Sequence, residues 1–316
     1  MWYNSLQGKT MIELDPSIAG IDFDKCGTNA SINWEKLNSS ARYYRKVLHH
    51  SRVDHSNKHF ALLVGFQNSW LENEFLPDCT LECLKKTTKW AFQNSNLITQ
   101  WIIINDSNPL YKYSFSTAWL DENENPLELN EDPKNWPIIT TKDIVEKKYI
   151  PLRSDLSQDM YVRQLEKIGL PGLQLTPVFS VKDTPQTGID SILSSCIFFQ
   201  SFLKKNPPLT ESKNLREDSD EWGAFKNLRE ENINEQLKKM IAEEAKKVYI
   251  LGQPKLSVME TALSLSQIMN PKIIHIIEEY TCDLPIDWIS SRTLKIQNEL
   301  KKSGVRFDKS EKKKKI

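Results

Sequence analysis

Residues 246–277 read KKVYILGQPKLSVMETALSLSQIMNPKIIHII. Two short apolar runs, 248–251 and 272–277, flank a stretch of helical length. Runs this short and this rich in Val and Ile have the signature of fully buried strands. Between them, Ser257-Val258-Met259-Glu260 has the spacing of a capping box, in which the Ser side chain accepts from a first-turn amide and the Glu reaches back. A helix is therefore expected to start at Ser257, and Pro271 stops it. Strand, helix and strand in this order predict a β-α-β unit and a parallel sheet, because parallel neighbours need a crossover connection.

Downstream, Ile286, Ile289, Thr293, Ile296 and Leu300 recur at helical spacing, and Gly304 follows as a C-terminal stop. Upstream, Trp222, Phe225, Ile233, Leu237 and Ile241 predict a long helix over 222–247. Before it, residues 206–221 contain Pro207-Pro208 and then mostly polar and charged residues, the composition of a linker. The expected organisation is an N-terminal α+β module (1–205), a charged linker (206–221), a smaller C-terminal α/β module (222–307) and a disordered Lys-rich tail (308–316). The fold class is α/β or α+β, a mixed sheet with flanking helices.

Within the N-terminal part, Trp34, Leu37, Ala41, Tyr44 and Leu48 predict a helix over 33–50, and 60–66 reads as a strand. Asp78 or Thr80 caps a helix running to about residue 94. Strands 98–105 and 110–120 around Asp106-Ser107-Asn108-Pro109 predict an antiparallel hairpin with Tyr111, Tyr113 and Phe115 on one face. Residues 121–137 read as an acidic surface loop. A helix after Ser154 should end at Gly169, and another should span 187–203.

Composition narrows function mainly by exclusion. The 316 residues include only 10 glycines, well below the roughly 7% of average usage. None forms a GxG, so a glycine-built dinucleotide site is not expected. Gly8-Lys9-Thr10 ends like a phosphate-binding loop, but Tyr3 stands where the first glycine is needed. With 42 basic and 42 acidic residues the chain is formally neutral, which argues against a whole-surface nucleic-acid binder. The run Lys312–Lys315 leaves local nucleic-acid contact or a nuclear address open. Residues 1–4 do not read as a secretory signal and no apolar run reaches a membrane span, so a cytoplasmic or nuclear protein is expected. Five scattered cysteines read as reduced thiols.

Two constellations are candidates for chemistry. His55 and His59, four apart in a cluster with His49 and His50, are candidate metal ligands. Glu278, Asp283 and Asp287 follow an expected strand, where α/β sheets carry their sites, and are candidate catalytic carboxylates. No cofactor is expected. With no catalytic motif, few glycines and 30 aromatic residues (9 Trp, 9 Tyr, 12 Phe), the sequence predicts a non-enzymatic interaction or assembly subunit with a protein partner. The alternative is a metal-dependent hydrolase or nuclease using those acidic or histidine residues.

Overall fold

A computed structural model describes residues 4–308 except 7–8, 12–14, 29, 49–57, 70–78, 95–96, 154–156, 205, 217, 219–222 and 227–231. Its centre is a parallel sheet of six strands: β1 (His59–Val64), β2 (Gln100–Asp106), β3 (Leu209–Lys213), β4 (Lys247–Gly252), β5 (Ile274–Thr281) and β6 (Arg306–Asp308). The order across the sheet is β6-β5-β4-β1-β2-β3. Its inner strands are apolar on both faces because both faces are covered. Phe60, Leu62 and Val64 enter one core while Ala61 and Leu63 enter the other.

The larger helices are α1 (Trp34–Leu48), α2 (Cys79–Gln93), α3 (Ser157–Lys167), α4 (Ser191–Lys204), α5 (Glu235–Glu244), α6 (Lys255–Ser266) and α7 (Asp287–Ser303). Leu237 and Ile241 of α5, Val258 and Ala262 of α6, and Ile289, Ile296 and Leu300 of α7 cover one face. Leu37 and Ala41 of α1, Leu84 and Phe92 of α2, and Leu193, Cys196 and Phe199 of α4 cover the other. The result is a three-layer α/β/α architecture. A satellite core of Tyr113, Trp119, Tyr161, Val162, Leu165 and Leu173 fills the long connection between β2 and β3. No helix among the described residues is long and apolar enough to cross a membrane.

The β-α-β reading of 246–277 is realised as β4-α6-β5. Several expectations need correction. The parts read as two modules share one sheet: β4 pairs in parallel with β1 over six residue pairs, Lys247↔His59 to Gly252↔Val64. The stretch read as a linker contains β3, whose outer position lets a strand be short and polar. The expected hairpin is absent. Ile102 and Ile104 are wholly buried in an interior parallel strand, and the chain then leaves the sheet to bury Tyr113 and Phe115 elsewhere. The helix expected over 222–247 is described only at Glu235–Glu244. Gly169 adopts φ +87° just beyond α3, as a C′ glycine should. The tail beyond residue 308, including Lys312–Lys315, lies outside the described residues.

One buried histidine sets a pH dependence. His275 of β5 is 3% exposed, and its Nδ1 lies 2.6 Å from Asp308 Oδ2 of β6. The contact has ion-pair geometry, yet burial outweighs the Asp308 hydrogen bond and lowers the His275 pKa from its ordinary 6.5. At neutral pH the uncharged ring therefore donates Nδ1–H to the carboxylate. The unfolded chain takes up this proton first on acidification, so folding stability falls as pH drops through about 6.5. Denaturant midpoints measured from about pH 7.5 to 5.5 should fall, and His275→Gln should flatten the slope. An equal slope in the variant would remove His275 as its source.

Candidate functional site

In an open α/β sheet the strand order reverses where a crevice opens beyond the carboxyl ends of the strands. Here the chain runs outward from β1 to β2 and β3, then crosses back to β4 on the other side of β1. The reversal therefore lies between β1 and β4. The backbone closes tightly there, where Gln253 N–H donates to Val64 O at 2.9 Å; on the other edge of β1, Gly65 N–H donates to Ile104 O of β2 at 3.0 Å.

At the same end of the sheet, the ends of β2 and β3 carry a buried polar cluster. The carboxylate of Asp106, last residue of β2, lies 2.8 Å from Lys213 Nζ, last residue of β3, and both side chains are 3% exposed. Their register puts them side by side. Asn214 donates its amide to Asp106 Oδ1. Gln67 clamps the Asp106 backbone, accepting from its N–H at 2.6 Å and donating to its carbonyl at 2.7 Å. Lys112 donates to Asn108 Oδ1 at 3.0 Å and to Asn214 Oδ1 at 2.7 Å. Ser69, two residues after Gln67, shares a buried hydrogen bond with Ser180. A buried ammonium or carboxylate persists only when paired and hydrogen-bonded, and this cluster supplies both conditions.

On the β4 side the polar groups are not satisfied. Gln253 is 2% exposed, and among the described residues neither its Nε2 nor its Oε1 has a hydrogen-bond partner. Ser257, 1% exposed, leaves its Oγ unpartnered as well. A buried group without a partner costs about 1–3 kcal/mol. The reason is a shifted helix start. α6 begins at Lys255 after Pro254, so Ser257 is its third residue and not its cap. The capping-box expectation thus fails, and Glu260 instead accepts from Arg292 Nε at 2.6 Å.

The residues singled out by sequence are not brought into this cluster. His59 stands at the amino end of β1, the opposite end of the sheet from the crevice, and His55 lies outside the described residues. Glu278 is in β5 and accepts from Gln297. Asp283 follows β5, where burial pushes its carboxyl up against the opposing Leu284 N–H. Asp287 is exposed at the start of α7. All three belong to the β5–α7 flank, and among the described residues no group of three His, Cys, Asp or Glu side chains could hold a metal. Asp106, Asn108 and Asn214 do offer the hard oxygens a divalent cation needs. Lys112 and Lys213 already supply ammonium groups to those oxygens, so a metal does not fit this cluster.

Thiol chemistry fares no better among the described residues. Burial raises Cys26 to about 11, raises Cys83, and holds Cys196 well above the ordinary thiol value. A neutral thiol is a poor nucleophile. Cys282 corrects the reading of five reduced thiols, because it is disulfide-bonded; such proximity is set by tertiary approach, which spacing along the chain does not reveal. A cleft of about 600 Å³ lined by Pro16, Gly20, Phe23, Lys36 and Lys89 involves none of the strand-end residues.

By sequence the chain matches no family profile and no curated protein. By structure it resembles a yeast nicotinamidase solved with the inhibitor nicotinaldehyde, at TM-score 0.52 and 16% identity, covering 80% of this chain and 100% of that one. It also resembles an Acinetobacter baumanii nicotinamidase/pyrazinamidase, at TM-score 0.51 and 14% identity, covering 80% and 97% of the two chains. An L. infantum protein solved in complex with nicotinate matches at TM-score 0.50 and 14% identity, covering 81% and 94%. Identity this low establishes the α/β fold. It also overturns the reading as a non-enzymatic interaction or assembly subunit, since nearly the whole length of known enzymes is reproduced. The aromatics behind that reading are largely core: Trp119, Phe115, Phe199 and Phe225 are fully buried.

Proposed function

We propose that this chain is a hydrolase of small carboxamides, acting at the carboxyl ends of β4, β1, β2 and β3. The observation that carries the reading is the buried Asp106–Lys213 pair at the carboxyl ends of β2 and β3, on the β1 side of the strand-order reversal. Support comes from the fold it shares with nicotinamidases. A low-dielectric site strengthens the electrostatic interactions that such charges make with a substrate.

Hydrolysis of a primary carboxamide forms a C–O bond from water and breaks the C–N bond. In this reading Asp106 takes the proton that water loses. Lys213 gives a proton to the departing nitrogen, which leaves as ammonia, and Asp106 then returns its proton to Lys213. The remaining product is a carboxylic acid, and atoms and charge balance without a metal or a covalent intermediate. General acid–base participation of this kind contributes about 10²–10⁴-fold.

The test is ammonia release from pyridine-3-carboxamide and pyrazine carboxamide by the purified full chain. Turnover is expected, with a loss of about 10²–10⁴-fold in Asp106→Asn. Absence of ammonia release from both compounds, or an Asp106→Asn protein that is folded and fully active, would overturn the assignment.

A further inference from the structure

We infer that Gln253, assisted by Ser257, is the group that recognises a ligand's carboxamide. The inference rests on the hydrolase reading for the location of the substrate, and its own evidence is a matched pair of unmet hydrogen-bonding needs.

The backbone around Gln253 is fixed by a close approach of two strands. Gly252 adopts φ +148°, and a Cβ placed there would sit 2.0 Å from Val64 O. That close approach is open only to glycine. It presses the end of β4 onto the end of β1, and the Gln253 N–H is anchored to Val64 O at 2.9 Å. The Gln253 backbone is thereby held at the carboxyl ends of the two strands, where open α/β sheets bind their ligands. Three residues into the sequence beyond Pro254, Ser257 N–H donates to Pro254 O at 2.9 Å. The Ser257 carbonyl accepts from Thr261 Oγ1 at 2.7 Å. Only the Ser257 hydroxyl is left over from this local bonding.

Gln253 offers one planar face with an N–H donor and a carbonyl acceptor, both enclosed and both without partners. The complement is a group with an acceptor and a donor in the same arrangement. A primary carboxamide has this: its carbonyl accepts from Gln253 Nε2 and its N–H donates to Gln253 Oε1. The Ser257 hydroxyl can serve either role for the ligand's remaining valence. A carboxylate presents two acceptors and no donor, so it leaves Gln253 Oε1 facing a like charge. An ester lacks the donor as well. The site therefore favours an amide over the acid formed from it, which aids product release.

The experiment measures binding of pyridine-3-carboxamide and pyridine-3-carboxylate to the full chain by calorimetry, alongside thermal unfolding of each protein. The wild type should bind the carboxamide at least about tenfold more tightly than the carboxylate. Gln253→Leu should lose that preference, while its unfolding temperature stays level or rises, because the variant removes two unsatisfied buried atoms. Gln253→Glu keeps the shape and loses the donor, and it should also bind the carboxamide about tenfold less well. A Gln253→Leu protein that keeps the preference would overturn the inference. So would a wild type that binds neither probe, or a Gln253→Leu protein that is less stable with binding unaltered, the result expected if Gln253 holds bound water only. The two readings fail separately: selective carboxamide binding without ammonia release removes the hydrolase and leaves Gln253, whereas ammonia release that ignores Gln253→Leu does the reverse.

Discussion

Gly252→Ala should cost about 4 kcal/mol or more, among the largest effects expected of a single substitution. Two penalties combine. The first is conformational, because φ +148° is open to glycine and strained for alanine. The second is steric. The new methyl would lie 2.0 Å from Val64 O, 2.8 Å from Val64 C and 3.0 Å from Val64 N. All three are backbone atoms of the neighbouring central strand, so no side chain can swing aside. At about 2 °C per kcal/mol for a chain of this size, the unfolding temperature should fall by about 8 °C or more. Gly169→Ala is the control. Gly169 also has positive φ, at +87°, but nothing lies within 4 Å of its added Cβ. It should therefore lose only about 1 kcal/mol. Equal losses in the two variants would show that the close approach of β4 to β1 does not constrain the protein.

Lys213→Met should cost about 3–5 kcal/mol, because it strands the Asp106 carboxylate in a buried position. The loss measures the unpaired charge left behind more than the strength of the pair. The double variant Asp106→Leu/Lys213→Met separates the two quantities. With both charges gone, much of the lost stability should return, giving a coupling energy of about 1 kcal/mol or more. Chemical denaturation of the wild type, both single variants and the double variant completes the cycle. Additive losses would mean that the two groups do not depend on each other, and would weaken the proton-transfer role as well. The same substitutions should abolish ammonia release regardless of stability, so the fold and the chemistry are read from one set of proteins.

Much of the candidate site was hidden from sequence for reasons visible in particular residues. Lys213 sits in a stretch whose prolines and charges have the composition of a linker, and only its pairing with Ile102–Asp106 makes it a strand end. Asp106 falls in Asp106-Ser107-Asn108-Pro109, which reads as turn chemistry, and nothing local marks its carboxylate as buried. Glu278, Asp283 and Asp287 were attractive because they follow or end a strand, but Glu278 is taken up by Gln297 and Asp287 is exposed, so the three form no common site. Gln253 had one available signal: an uncharged polar residue one glycine after the Val248–Leu251 apolar run and directly before a proline, in a β-α-β connection.

Local sequence determined the element types. Apolar periodicity of 3.6 marks α1 and α7, and short runs of Val, Ile and Leu mark β1, β4 and β5, because burial on one stripe or on both faces leaves its period in the chain. The parallel β-α-β unit at 246–277 follows from that pattern alone. Tertiary structure decided which strands are neighbours. Buried strands are nearly interchangeable as sequences, so an apolar run does not encode its partner. The placement of β4 beside β1, and of β3 beside β2, is settled by how all six strands and both helical layers pack at once. That choice sets Gln253 against Val64 and Lys213 against Asp106, across separations at which local pattern carries no information.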